Sequence, residues 1–179
     1  MIFISILKNI FQTSTPLILA GLGGMFSERS GVINIALEGI MLIGAFTSAA
    51  VTYFTHSPLL GIICAIISGI IIGGFHYLFA VRLKVNHIIS GFAINIFASG
   101  FTIFLTQAIF AGQRSFSLGK YVSPQILGFQ PLVYIAFLCV PVTYIIMFKT
   151  PFGLRLRSVG EFPLAAETQG IDIYLSLIH

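Results

Sequence analysis

Charge is what this sequence has least of. Charged residues make up 8% of the 179 positions, against roughly 25% in an ordinary water-soluble domain. A globule cannot be covered with so few charges, so bulk water is not the main solvent of this chain. No long polar stretch interrupts the apolar runs, which argues against a separate soluble domain. Nine Lys and Arg stand against five Asp and Glu, and the excess is scattered through short links. Nucleic acid would want a clustered basic face, and there is none. Cysteine is scarce too. Cys64 and Cys139 both fall inside apolar runs and read as small packing residues, without partners for a metal or disulfide framework.

Catalytic signatures are missing as well. There is no H-E-x-x-H, P-loop or C-x-x-C, and neither Ser30 nor Ser90 sits in G-x-S-x-G. No catalytic residue, metal site or cofactor is therefore expected. Channel signatures are equally absent: no ladder of carboxylates, no arginine repeat of a voltage sensor, no TVGYG filter. The start, MIFISILKNIFQ, lacks a charged leader and a small-residue cleavage site, and reads as part of a retained span.

What the chain has in abundance is apolar sequence, with a mean hydropathy of +1.03. A bilayer-crossing helix needs about 20 mainly apolar residues. Five stretches qualify, at about 4–26, 32–54, 59–81, 88–110 and 131–148. In hydrocarbon the backbone must bond within itself, so these are helices, and they alternate too little for barrel strands. Gln12–Thr15 and Pro16 interrupt the first, which reads as one kinked helix, the alternative being a short interfacial piece followed by a short span. The predicted fold is an all-α polytopic transmembrane bundle of about five spans with a short cytoplasmic coupling helix. Residues 1–148 form the bundle, and 149–179 form the coupling segment and the start of a next span. The loop charges orient it. Arg29, Arg82, Lys84, Lys149, Arg155 and Arg157 fall on one side, and Lys8, Arg114 and Lys120 on the other. The positive-inside rule then gives a cytoplasmic C-terminal tail in a multi-pass membrane protein.

The polar residues that remain are ordered. In the third span Gly61, Ala65, Gly69 and Gly73 recur every four residues, a small-residue groove for close helix packing, with His76 near the same face, either hydrogen-bonded within the bundle or serving as a gate or proton relay. In the second, Asn34, Glu38, Met41, Ala45, Ser48 and Thr52 form one seam. Glu38 has two readings, a structural ion pair or helix-end role and the lining of a solute path. In the fourth, Gly91, Asn95, Ala98, Thr102 and Thr106 share a face. Asn95 either glues helices together or hydrogen-bonds a polar solute. Asn34, Glu38, Asn95 and Thr102 are the candidate path residues. Such an interior suits a small, polar, uncharged solute.

The tail GLRLRSVGEFPLAAETQGI is amphipathic, with Pro163 placed to start a short helix and Gly170 to end it, and reads equally as a docking helix across the bundle end or as a plain interhelical loop. It resembles the cytoplasmic coupling segment of ATP-binding-cassette (ABC) importer permeases serving simple sugars, nucleosides and, more distantly, branched-chain amino acids. Gly160, Ala165, Ala166, Gly170 and Ile171 fall in register with that branch's pattern, while Phe162 stands where the branch usually has Asn. The run S-E-R-S-G-V-x-N-I-x-L-E-G at Ser27 to Gly39 and the stretch NHIISGFAINIFASGFTIFL are similar to the nucleoside-type members. The resemblance implies a permease subunit that moves nucleosides or simple sugars by alternating access. Its implied partners are an ABC ATPase subunit, a second permease subunit and an extracytoplasmic solute-binding lipoprotein, within a lipid bilayer. Gly160, Ala165, Ala166 and Gly170 would be the ATPase-coupling residues. Family members continue past this tail, so the chain is expected to be a fragment or truncated product. The alternatives are a non-transporting fragment and a small-solute channel without an ATPase.

Overall fold

Proline and hydroxyl residues punctuate the long apolar runs, and the helices begin and end where they do. The computed structural model describes residues 2–110 and 129–170. The link 111–128, with Arg114 and Lys120, and the stretch 171–179, with Ile171 and the expected next span, lie outside the described residues. Among the described residues seven α-helices follow in order: α1 (Ile2–Arg29), α2 (Leu37–Thr55), α3 (Pro58–Tyr77), α4 (His87–Ile109), α5 (Pro131–Lys149), α6 (Pro151–Glu161) and α7 (Pro163–Thr168). A π-turn at Leu78–Arg82 prolongs α3. The all-α expectation is met.

The helices fall into two compact units. Residues 1–33 and 123–179 make one, and residues 34–122 make the other. In the first, α1 and α5 meet through aromatic rings, with Phe11 and Phe137 edge to face at 5.4 Å. Pro16 sits inside α1 and brings no N–H to the carbonyl one turn back. The adjacent hydroxyls fold onto the same backbone: Ser14 donates to Ile10 O and Thr15 to Phe11 O. One 28-residue helix therefore passes through the polar run.

The second unit is a three-helix layer. Ser57 and Asn86 cap α3 and α4; the Asn86 side chain accepts from the Ile88 and Ile89 amides. The glycine stripe of α3 faces α2. A Cβ on Gly61 would lie 2.2 Å from Thr52 Oγ1 and 2.7 Å from Ser48 O; on Gly69 it would be 3.7 Å from Ile40, and on Gly73 it would meet nothing within 4 Å. The helices thus touch backbone to backbone at one end and diverge toward the other. Gly61→Ala should therefore cost about 1–3 kcal/mol through overpacking, while Gly73→Ala should stay within about 0.5 kcal/mol of the parent. Thermal unfolding of the two variants in detergent measures the contrast; equal losses would remove the close approach as its cause. His76 is buried, and its Nδ1 lies 3.1 Å from Ser90 Oγ on α4.

Among the described residues, four segments are long and apolar enough to cross a membrane: Leu37–Thr55, Pro58–Arg82, His87–Ile109 and Pro131–Lys149. The first of the about five expected spans falls on α1. α1 exceeds all of them in length, but its Asn9–Thr15 run dilutes its hydropathy. Two differences have local causes. The second helix starts at Leu37, not near residue 32, and a separate helix, α6, precedes the expected short helix of the tail. Thr150 starts α6 by accepting from the Gly153 amide at 3.3 Å, with Pro151 in its first turn.

Candidate functional site

The segment between α1 and α2 is built by two different caps. Ser27-Glu28-Arg29-Ser30-Gly31 closes α1 as a Schellman motif: the Val32 amide donates to Ser27 O at 3.0 Å and the Gly31 amide to Glu28 O at 3.0 Å. Gly31 has φ +89, a conformation that only glycine adopts without strain. The chain then needs a partner for the free amides at the start of α2. Ala36, the capping position, makes no side-chain bond of its own. The bond arrives from α4 instead. Asn95 Oδ1 accepts from the Gly39 amide at 2.8 Å, and Asn95 Nδ2 donates to Ile35 O at 3.0 Å. One planar amide, 56 positions away in sequence, thus satisfies a donor and an acceptor at the helix start.

Two glycines make that approach possible. A Cβ on Gly39 would lie 2.9 Å from Asn95 Oδ1, and one on Gly91 would lie 2.7 Å from Ile35 Cβ. Asn34 completes the turn, its Oδ1 accepting from the Ala36 amide at 3.1 Å. It precedes α2 and so does not share a helical seam with Glu38, as the sequence spacing had suggested. Glu38 is exposed in the first turn of α2, where the helix dipole favours a carboxylate. The structure therefore gathers Asn34, Glu38 and Asn95 around residues 34–39. Thr102 stands apart from them. It is buried two turns further along α4, and its hydroxyl donates to its own helix at Ala98 O, 2.8 Å.

The second cluster lies at the end of α5. Gly153 and Gly160 set α6 against its surroundings. A Cβ on Gly153 would lie 2.3 Å from Met147 O, and one on Gly160 would lie 2.3 Å from Arg29 O and 3.1 Å from the Gly31 amide nitrogen. The α1 cap and α6 therefore meet through two glycines, Gly31 and Gly160. Leu156 and Val159 bury the apolar face of α6. The Arg157 guanidinium lies over the Phe148 ring at 5.0 Å. Beyond α6, Ala165 is exposed and Ala166 buried on α7, and Gly170, with φ +77, closes α7 by donating to Glu167 O at 2.9 Å. Sequence reading missed the pairing of Gly31 with Gly160 and the role of Gly39. The signal for Gly39 was its place one residue after Glu38, on a helix end with no capping side chain of its own. Among the described residues, no cluster of His, Cys, Asp and Glu could hold a metal.

Four long apolar segments and a helical, strandless described structure define a multi-pass helical membrane protein. Residues 6–176 match the family described as branched-chain amino acid transport system / permease component, and the chain belongs to that family. It is 38% identical to the guanosine ABC transporter permease protein NupQ of Bacillus subtilis, over 90% of this chain and 57% of the relative. It is 36% identical to the nucleoside ABC transporter permease protein NupC of Lactococcus lactis, over 94% of this chain and 60% of the relative. The chain thus spans somewhat over half the length of these relatives. No solved structure matches it.

Proposed function

We propose that this chain is a membrane permease subunit of an ABC importer that translocates nucleosides or simple sugars. The observation that carries this reading is the 36–38% identity to two nucleoside permeases over at least nine-tenths of the chain. The subunit would work with an ABC ATPase subunit, a second permease subunit and an extracytoplasmic solute-binding lipoprotein, in the plasma membrane. Its C-terminal tail would be cytoplasmic, and residues 149–179 would be the coupling segment. Asn34, Glu38, Asn95 and Thr102 would belong to the solute path, and Gly160, Ala165, Ala166 and Gly170 to the ATPase contact.

The geometry supports a mechanical version of alternating access. A push on α7 and α6 would reach the end of α1 through the contact of Gly160 with Arg29 O and Gly31. Only residues 33–36 then separate that cap from α2. The Asn95 amide ties the start of α2 to α4, so both helices would turn together and carry Asn34, Glu38 and Asn95 with them. Binding the solute would require Asn95 to share or exchange its present partners.

The coupling claim is tested by placing a cysteine at exposed Ala165 in a chain whose Cys64 and Cys139 are alanine. A heterobifunctional reagent, with a maleimide for Ala165→Cys and a photoreactive benzophenone that inserts into nearby C–H bonds, should join it to the ATPase subunit, identified by mass spectrometry, and an impermeant thiol reagent added outside intact cells should leave it unlabelled. Labelling from outside would reverse the orientation, and labelling from inside without any ATPase adduct would remove the coupling role.

A further inference from the structure

The turn between α3 and α4 pairs two features that the transport reading does not use. The first is a groove of about 410 Å³, lined by Ile72, Phe75, Phe79, Ile89, Ala93 and Phe97 among others. Ser90 is its one polar lining residue, and its hydroxyl is engaged with His76 at 3.1 Å. The second is a basic pair, Arg82 and Lys84, both exposed in the turn that contributes Phe79 and Val85 to the groove. Two backbone bonds fix this turn: the Leu83 amide donates to Leu78 O at 2.9 Å, and the Val85 amide to Phe79 O at 3.0 Å.

Charge decides what such a groove would accept. Residues 34–122 contain a single carboxylate, Glu38. Among the described residues, neither Arg82 nor Lys84 is in an ion pair. A groove that is apolar along its length and flanked by unneutralised cations at a membrane helix end has the pattern of an anionic amphiphile. Phospholipid head groups are held by basic groups of this kind at helix ends. The depth agrees. From Ile89 to Phe97 the groove follows α4 for about 12 Å at 1.5 Å per residue, close to the roughly 15 Å of one leaflet's hydrocarbon.

We propose that the groove between the end of α3 and the start of α4 holds one acyl chain of an anionic phospholipid, whose phosphate rests on Arg82 and Lys84. The lipid would fill the space beside Ala93 and anchor the α3–α4 turn at the membrane interface. This site lies in the second unit alone and does not depend on which solute the importer carries.

Native mass spectrometry of the chain purified in detergent provides the test, with phosphatidylglycerol and phosphatidylcholine of identical acyl chains as competing probes. The wild type should retain one phosphatidylglycerol with a preference of roughly thirtyfold, the contribution of two basic groups at an anionic surface. R82Q/K84Q should bring the preference close to unity, and Ala93→Phe should reduce retention of both lipids by filling the groove. Inorganic phosphate should not displace the lipid. The proposal is overturned by equal retention of the two lipids in the wild type, which needs no variant to fold. It is also overturned by a preference that persists in R82Q/K84Q with normal helicity, or by displacement with phosphate alone. Retention of neither lipid would mean that the groove is covered by polypeptide, and would overturn it as well.

Discussion

Asn95→Leu should destabilise the second unit by about 2 kcal/mol, roughly 1 kcal/mol for each of two lost hydrogen bonds. The side chain keeps similar bulk, so the loss is chiefly polar. Gly39 N–H and Ile35 C=O would both lose the partner that the structure gives them at 2.8 and 3.0 Å. Because the cap comes from another helix, the effect should localise. Hydrogen exchange at the amides of Leu37 to Ile40 should accelerate most, while the far end of α2, packed on Gly61, should change little. Asn95→Asp separates the two bonds: it keeps the acceptor for the Gly39 amide and sets a carboxylate against the Ile35 carbonyl. A Leu variant as stable as the parent, with unchanged exchange at Gly39, would show that the amide does not hold this junction.

Gly160→Ala is expected to be the other large effect. The added Cβ would lie 2.3 Å from Arg29 O, a backbone atom at the end of a capped helix, and 3.1 Å from the Gly31 nitrogen. Neither neighbour can rotate away as a side-chain tip would. Relief requires α6 to move off the end of α1, at a cost of about 1–3 kcal/mol. The first bonds to weaken should be those of the Schellman motif, read as faster exchange at the Gly31 and Val32 amides. Solute uptake should fall by a larger factor than the amount of protein in the membrane, because the proposed route from α6 to α1 would be broken. Normal uptake by a Gly160→Ala protein present at parental levels would exclude that route.

These two sites also show what the sequence made legible. The bounds of α4 and α5 were readable because each helix begins at a strong local signal, Asn86 for one and Pro131 for the other, and each apolar run ends at a polar stretch. The α1–α2 junction was not. The run Val32–Ala36 is as apolar as the helix after it, and two local features and one tertiary one stop it from joining α2: the left-handed Gly31, the turn made by Asn34, and a cap supplied from α4. The glycine stripe of α3 was legible as a packing face, but its divergence at Gly73 depends on where α2 begins. In the tail, Pro163 and Gly170 marked α7 correctly. The helix before it was hidden because Gly153 and Gly160, poor helix formers in isolation, are needed there for close approach. Asn95 could be read from sequence as a packing amide or a solute ligand; the geometry supplies its present partners at Ile35 and Gly39.

The role of this chain in solute import is tested most directly by uptake of radiolabelled guanosine, uridine and ribose in cells lacking the gene, with the chain restored or absent and its partner subunits present. The account predicts restored, ATP-dependent uptake of a nucleoside or of the sugar, lost again in the Gly160→Ala protein. Uptake that is identical with and without the chain, for all three solutes, would contradict it.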